Sequence, residues 1–484
     1  MKQKSLKMNA FFNLIKAFMN IVFPIVSFPY ASRVLLPQGI GKVNFANSII
    51  EYFVLIAALG IVPYASREAA KIRDDIHKLT AFSREILTIN LLSTALAYLG
   101  LFVCFVFVDK FNEYRILIII CSTKVLFTTA GMEWLFRAKE EYAYITVRQT
   151  VFQIICLILL FTFVKTSEDY YIYAGIGVFA NVGANILNFF YARRFISIFE
   201  KTKLHIRRHV KPVFTFFGIN CAGKINSALD TVMLGFIIGD IAVGFYSAAI
   251  KINRMVIELI TSAVSSFLPR SSYYLENNKA DEYKKMISKV CNATFFFSLP
   301  AAAGLYFLCE PLILLFSGEQ YLPAVPSMKL LSLSIIGSCA NSFLNNLIIT
   351  PQRKERFTLI AQITAACTNI VLNAILITRL EVFGAAIATC VVEFILPLVV
   401  LIPSWKYVNN KHNLLNIIKA AIGTVIMYII IFIAFNALKN IVLKIFCAVI
   451  VGSAMYATIT ILLRHETAKI LLDVIKNRFV RKRM

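Results

Sequence analysis

Long apolar segments separated by short polar segments recur along the whole chain. Fourteen of these segments are long enough to cross a bilayer, since about 20 helical residues span its hydrocarbon core. Their approximate limits are 10–31, 43–64, 81–108, 116–137, 143–164, 170–192, 212–238, 241–267, 286–308, 327–350, 357–378, 384–405, 417–438 and 442–463. The pattern predicts an all-α polytopic membrane protein with fourteen transmembrane helices.

The composition agrees with a membrane protein. Of the 484 residues, 59% are hydrophobic and only 16% are charged, against about 25% charged residues in a soluble domain. This excludes a soluble enzyme and a disordered chain, because neither could keep so much apolar surface from water. The ten cysteines are scattered through the apolar segments without a Cys-x-x-Cys pair, so we interpret them as buried apolar residues.

Motifs for a metal or a nucleotide are incomplete. His205 and His209 have the spacing of metal ligands, but they lie among Arg207, Arg208 and Lys211. Those charges would repel a metal, so the segment is interpreted as a solvated basic loop. Residues 218–225 approach a phosphate-binding loop but lack its Ser or Thr, and no strand precedes them. We therefore predict no cofactor and no metal.

The distribution of positive charge predicts the topology. With the N-terminus in the cytoplasm, 33 Lys and Arg residues fall in inside segments and 7 in outside segments. Such a bias is typical of membrane proteins and places both termini in the cytoplasm. It also accounts for the net charge of +24 without nucleic acid. The longest predicted outer loop has roughly 18 residues, which is too short for a catalytic domain.

The C-terminal tail, residues 464–484, ends in three consecutive basic residues. As a helix it would place four apolar side chains on one face, those of Ile470, Leu471, Val474 and Ile475. A basic amphipathic helix on anionic lipid and a short solvated tail are both compatible with this sequence.

Two pairs of similar segments indicate an internal repeat. Residues 39–46 resemble residues 240–247, and residues 138–142 resemble residues 353–357. The spacing predicts two six-helix lobes related by a pseudo-two-fold axis along the membrane normal, with two additional C-terminal helices. The predicted domains are a first lobe at 1–192, a basic linker at 193–211, a second lobe at 212–405, helices 13 and 14 at 406–463, and the basic tail.

Charged residues within the predicted spans indicate an internal polar site. The cations are Lys16, Lys124, Arg148, Lys224, Lys251 and Arg254, and the acids are Glu51, Glu133, Asp230, Glu258 and Glu393. An ionised group at membrane depth costs at least about 2.5 kcal/mol unless it meets water, a partner or a ligand. Arg254 and Glu258 have the spacing of a helical ion pair. Lys124 and Lys224 have no acid at helical spacing, which favours a water-filled cavity for an anion.

Asparagines also recur at helical spacing. In the first span Asn9, Asn13, Lys16 and Asn20 share one face. Further sets are Asn181, Asn185 and Asn188, then Asn341 and Asn345, then Asn369 and Asn373. Amides suit sugar hydroxyls, because they donate and accept hydrogen bonds. The alternative is that they join neighbouring helices.

The N-terminal motifs resemble a known family. They are Phe28–Leu35, Gly39-x-Gly41, Phe45–Ser48, Leu59–Ile61 and Tyr64-x-x-Arg67-Glu68. Together, over roughly residues 9–75, they resemble the opening of the Wzx-type polysaccharide repeat-unit flippases. These belong to the multidrug/oligosaccharidyl-lipid/polysaccharide exporter superfamily. Leu36 departs from the pattern, since the family often has glycine there.

The resemblance implies a function as well as a fold. It implies two lobes in a V around a cavity that carries undecaprenyl-diphosphate-linked oligosaccharide repeat units from the inner to the outer leaflet. This would occur in the bacterial cytoplasmic membrane during synthesis of O-antigen, capsule or exopolysaccharide. It implies ion-coupled alternating access with H⁺ or Na⁺. Membrane lipid and a polysaccharide polymerase are the other expected partners.

We assign predicted roles to the charged and polar residues accordingly. The predicted substrate-binding residues are Lys16, Asn20, Lys124, Lys224, Lys251 and Arg254. The predicted ion-coupling residues are Glu51 and Asp230, with neutralisation of a lysine as the alternative for Asp230. Two other functions stay open: a drug/cation antiporter of the same superfamily, and a membrane-embedded polysaccharide polymerase or ligase.

Overall fold

The fold is taken from a computed structural model of the whole chain. It describes residues 6–197, 204–435, 438 and 440–481. Within these ranges the side chains of residues 6–18, 21, 219, 220, 222, 225, 227 and 474–481 lie outside the description.

The described residues form helices and short connections, and no strand occurs among them. The α-helices are α1 Leu6–Ala58, α2 Ile61–Lys71, α3 Ile76–Phe107, α4 Asp109–Glu113, α5 Arg115–Ala130, α6 Glu133–Ala138, α7 Tyr142–Phe163, α8 Tyr170–Val178, α9 Asn185–Ala192, α10 Arg207–Ile237, α11 Asp240–Ser265, α12 Leu268–Glu276, α13 Ala280–Phe316, α14 Val325–Leu344, α15 Glu355–Val408, α16 Lys411–Phe435, α17 Ile441–Leu462 and α18 Glu466–Arg481. Two π-helical segments, Phe179–Gly183 and Asn345–Ile349, follow α8 and α14 directly.

The prediction of an all-helical membrane protein is confirmed at this level. Among the described residues, ten helical segments are long and apolar enough to cross a membrane. Neither α10 nor α11 is one of the ten. In α11 the charged residues Lys251, Arg254 and Glu258 interrupt the apolar sequence. The exact number of fourteen spans stays a prediction.

Two of the long helices contain a break where the sequence analysis placed a loop. In α1 the backbone leaves the helical region at Leu36, with φ 61° and ψ 174°. In α15 it does so at Glu381, with φ 50° and ψ −125°. The expected loops between spans 1 and 2 and between spans 11 and 12 are therefore almost entirely helical. Positive φ is costly for residues other than glycine, so both breaks store strain.

The contacts divide the chain into two compact units, Met1–Gly244 and Phe245–Met484. The first unit has a core of aromatic and aliphatic side chains that includes Phe82, Trp134 and Phe136. The core of the second unit includes Tyr283 and Phe343. Helix α10, which the repeat assigns to the second lobe, falls within the first unit, and the predicted lobe boundaries remain untested.

The last helix begins directly after the final apolar helix. The N–H of His465 donates to the carbonyl oxygen of Thr460, and the N–H of Glu466 donates to the amide oxygen of Asn416 at 3.2 Å. Ile470 and Leu471 are both 42% exposed. The tail is thus helical over Glu466–Arg481, and its placement on lipid stays a prediction, while Val474 and Ile475 have side chains outside the description.

Candidate functional site

Two of the predicted substrate-binding lysines meet on one carboxylate. The part of α1 after its break presents Asn47 and Glu51 four residues apart, on one helix face. The ammonium nitrogen of Lys124, from α5, lies 2.9 Å from the amide oxygen of Asn47 and 3.4 Å from one carboxylate oxygen of Glu51. The ammonium nitrogen of Lys224, from α10, lies 2.7 Å from the other carboxylate oxygen. We call Asn47, Glu51, Lys124 and Lys224 the Glu51 cluster.

The two lysines differ in exposure. The side chain of Lys124 is 11% exposed and that of Lys224 is 40% exposed, with Glu51 between them at 29%. Lys124 also has the amide of Asn47 as a second partner, so its ammonium group already bonds to two groups of the protein. Lys224 is therefore the more accessible of the two to a ligand.

The cluster carries an excess of positive charge. Two ammonium groups share one carboxylate, which leaves a formal charge of +1. The expectation that these lysines lack an acid was limited to helical spacing within one span. The structure supplies the acid from another helix, and Asn47 is a member that the sequence analysis did not single out.

The second predicted coupling residue, Asp230, is buried on α10. It is 5% exposed and close enough to Tyr52 to act electrostatically on the phenol. Tyr52 follows Glu51 directly in the sequence. Asp230 therefore acts on the turn of α1 that carries Glu51, the other predicted coupling acid. Asp230 has interaction partners in the structure.

The predicted residues of the first span are only partly described. The side chain of Lys16 lies outside the described residues. The amide oxygen of Asn20 accepts hydrogen bonds from Gln149 at 2.9 Å and from Gln153 at 3.5 Å, both on α7. These two glutamines extend the polar face, and the sequence analysis missed them because it considered only asparagines.

The two predicted residues of the second unit lie on α11. Lys251 is partly buried and has interaction partners. Arg254 and Glu258 are both exposed, and the ion pairs found among the described residues do not include one between them. The helical pairing that their spacing allowed is therefore not formed, because the two side chains do not approach within ion-pair distance.

Most of the other patterned asparagines bond to protein. Asn188 donates to the carbonyl oxygen of Gly131 at 2.7 Å, where the chain leaves α5. Asn345 accepts from Thr358 of α15, and Asn373 donates to Asn369. The contacts of Asn188 and Asn345 correspond to the alternative in which asparagines join neighbouring helices, whereas the bond between Asn373 and Asn369 lies within α15.

One interpretation of the basic linker is wrong. His209 is 3% exposed and lies in α10, not in a solvated loop. Its Nε2 lies 2.7 Å from the carboxylate of Glu85, and its Nδ1 lies 2.7 Å from the hydroxyl of Tyr64. Arg208 donates to the same carboxylate at 2.6 Å. The buried acid on α3 attracts the basic segment into the protein, which the local sequence could not reveal.

No group of three or more His, Cys, Asp or Glu residues that could hold a metal ion occurs in the described part of the chain. The described cysteines are free thiols.

The second unit contains a large apolar groove. It has a volume of about 560 Å³ and is lined mainly by α13, α16 and α17, with Phe296, Leu305, Met427 and Tyr456 among its residues. Leu471 of α18 also lines it. An elongated hydrocarbon chain is the type of ligand that such a lining suits.

Comparisons with known proteins identify relatives across most of the chain. The family model described as "Polysaccharide biosynthesis protein" matches residues 6–275, and the model described as MatE matches residues 217–377. The "Putative O-antigen transporter" of Escherichia coli (strain K12) is 25% identical over 395 residues, which is 80% of this chain and 94% of the relative. The "Probable flippase AglR" of Haloferax volcanii is 27% identical over 168 residues, which is 34% of each chain.

A solved structure has the same fold over nearly the whole length. It is the lipid II flippase MurJ in an inward closed conformation, with a TM-score of 0.77 and 17% sequence identity. The match covers 97% of this chain and 100% of the solved chain.

Proposed function

Because the chain belongs to the polysaccharide biosynthesis protein family, we propose that it is a flippase for lipid-linked oligosaccharides. Membership confirms the resemblance predicted from the N-terminal motifs. The proposed substrate is an undecaprenyl-diphosphate-linked repeat unit for O-antigen, capsule or exopolysaccharide. The protein acts as a transporter and not as an enzyme, in agreement with the names of its relatives.

The observation that carries this proposal is the Glu51 cluster. A diphosphate esterified at both ends carries two negative charges, and a cluster with a formal charge of +1 at membrane depth would attract it. Lys224 supplies the accessible ammonium group. Charge-assisted hydrogen bonds to phosphate are among the stronger polar contacts in proteins.

The apolar groove supports the lipid part of the substrate. Its lining by α13, α16 and α17 is suited to an isoprenoid chain, whose transfer from water contributes about 0.8 kcal/mol per buried methylene. Membrane lipid is a competing ligand for this groove. The groove therefore supports an amphiphilic substrate but gives no information about its sugar.

The test of the proposal is the export of polymer in cells. Lys224→Ala should strongly reduce surface polysaccharide at an unchanged amount of protein in the membrane. Lys285→Ala is the control, since Lys285 is an exposed lysine of α13 outside the cluster. Export at the wild-type level by the Lys224 variant would contradict the role of the cluster.

We further propose fourteen spans with both termini in the cytoplasm of a bacterial cell. The breaks at Leu36 and Glu381 divide α1 and α15 into two spans each, and α10 and α11 supply the remaining two. The bias of Lys and Arg towards the inside segments supports this orientation. Reporter fusions after Lys211 and after Met484 should both report the cytoplasm, and an external signal at either would overturn the topology.

Energy for the transport is proposed to come from a gradient of H⁺ or Na⁺. Glu51 and Asp230 are the proposed coupling residues, because both are acids on helices of the candidate site. In proteoliposomes, transport driven by an imposed pH or Na⁺ gradient should be reduced in Glu51→Gln or Asp230→Asn. Full transport in both variants would eliminate these residues as coupling groups. A polysaccharide polymerase remains a proposed partner.

A drug/cation antiporter is the second candidate, favoured by the MatE match over residues 217–377. Its substrates would be cations, and the positive charge of the Glu51 cluster would repel them. Export of cationic dyes by the wild-type protein, unchanged in the Lys224 variant, would favour this candidate over the flippase.

A further inference from the structure

The Glu51 carboxylate has two cationic partners, which are also the groups proposed to bind the substrate. One of its oxygens lies 3.4 Å from Lys124 and the other 2.7 Å from Lys224. A diphosphate that binds both lysines therefore comes close to the Glu51 carboxylate and can replace it as the acceptor for their N–H donors. An ammonium group has three donors, but each donor serves one strong acceptor at a time.

The charges give the consequence of this competition. The cluster with ionised Glu51 has a formal charge of +1, and a doubly esterified diphosphate has −2. The filled site would then hold −1 at membrane depth, where an uncompensated charge is costly. One proton on Glu51 brings the charge summed over Glu51, Lys124, Lys224 and the diphosphate to zero, Asp230 not being counted, and removes the repulsion between carboxylate and phosphate.

We propose that Glu51 gains a proton as the diphosphate of the substrate binds, so that proton and substrate bind with positive cooperativity at this cluster. This rests on the flippase function proposed above. The proton comes from the surrounding water, and the lysine N–H bonds move from the carboxylate oxygens to phosphate oxygens. No covalent bond to the substrate is formed or broken.

The other groups near the carboxylate do not remove the need for this proton. Among the described side chains, the titratable groups that face Glu51 are Lys124 and Cys121 from α5 and Lys224 from α10, while Asp230 acts on the adjacent Tyr52. Of these, only the two lysines are positive, and the substrate engages both. Asp230 adds negative charge nearby, which increases the cost of an ionised Glu51 beside a phosphate.

Whether a carboxylate gains or loses a proton when the substrate binds distinguishes the roles of the two proposed ion-coupling residues. A carboxylate that gives up its proton when substrate binds supports exchange, and one that gains a proton supports joint movement. Substrate and proton affect each other equally. If bound substrate raises the proton affinity of Glu51 by some factor, protonation of Glu51 raises the affinity for the substrate by the same factor. Glu51 is thus assigned to joint binding, and Asp230 is left as the candidate group for exchange.

The experiment is calorimetry on the purified full-length protein. The probe is geranyl diphosphate esterified with glucose at its second phosphate, whose two charges do not titrate near neutral pH. Binding is measured in buffers of different ionisation enthalpy, which gives the number of protons exchanged. The wild type should take up close to one proton per bound probe, which is the proton assigned to Glu51.

The variants identify the group that takes up the proton. Glu51→Gln should bind the probe at least about fivefold more tightly, since the competing charge is gone, and should exchange no proton. Glu133→Gln is the matched control, because Glu133 pairs with Arg137 on its own helix at 3.0 Å. It should keep the wild-type affinity and proton uptake.

The outcomes are distinguishable. Binding by the wild type without proton uptake overturns the inference and leaves the flippase proposal intact, and this result needs no variant. Weaker binding by Glu51→Gln, or proton uptake that persists in it, also overturns the inference. A wild-type protein that does not bind the probe contradicts the proposed function and the inference together.

Discussion

Replacing Leu36 with glycine tests the break in the first long helix. The residue has φ 61° and ψ 174°, a region that only glycine occupies readily, and a leucine there costs about 1–3 kcal/mol. Glycine would remove that strain. It would lose about 0.5–1 kcal/mol through chain entropy and about 1 kcal/mol through the half-buried side chain. Leu36→Gly should therefore leave the free energy of unfolding within about 1 kcal/mol of the wild type.

The adjacent Leu35 provides the matched control. It is fully buried and helical, so glycine there removes core packing worth about 2–5 kcal/mol and adds about 1 kcal/mol of helix cost. At about 2–4 °C per kcal/mol, Leu35→Gly should lower the apparent Tm by roughly 6 °C or more. Thermal unfolding in detergent, followed by size-exclusion chromatography, measures both variants. Equal losses of Tm would refute the glycine-like backbone at Leu36.

Two further predictions concern buried polar groups, both measured by the same thermal assay. Glu85→Gln should cost about 1–3 kcal/mol, because it removes the charged acceptor of buried His209 and half-exposed Arg208, whereas Glu133→Gln, in an exposed pair, should cost about 0.5 kcal/mol or less; similar costs would contradict the network. Burial lowers the pKa of His465 from 6.5 to about 4. Below pH 6.5 the unfolded state gains a proton that the folded state does not accept, so stability should fall as the pH decreases towards 4. The wild type should lose about 2 kcal/mol more between pH 6.5 and pH 5 than His465→Asn, and equal losses would disprove this role.

The hydrophobic pattern was sufficient for the helices because lipid requires every backbone group to bond within its own segment. It could not predict the shape of the connections. The span limits placed a loop between residues 31 and 43, but the structure places the irregularity on Leu36. A non-helical φ at one residue has no hydropathy signature, and only the missing family glycine pointed to it.

The candidate site shows a different limit. Lys124 and Lys224 were found because charges at membrane depth are expensive. Their shared partner could not be found, since Glu51 is 73 residues from Lys124 in the sequence and meets it only through helix packing. The interpretation of His209 as part of a solvated loop was wrong for the same reason. Its neighbours in the sequence are basic, while the group that determines its environment, Glu85, comes from α3.

The position of Lys224 follows from contacts at the two ends of its helix. Near its start, α10 is held by the bonds of Arg208 and His209 to Glu85. Near its end, Lys110 donates to the carbonyl oxygen of Gly235. Between these ends, a Cβ at Gly218 or Gly223 would meet no atom within 4 Å, so the middle of α10 has free space around its backbone.

This arrangement lets Lys224 respond to a ligand without loss of the fold. The bonds at both ends hold α10 in place, so an ammonium group that exchanges Glu51 for a phosphate is expected to leave these end contacts unchanged. The failed phosphate-loop motif contributes the glycines Gly218 and Gly223, and open space lies at the Cβ position of each. Neither glycine is therefore required by close packing, and the polar chemistry of this segment rests on Lys224.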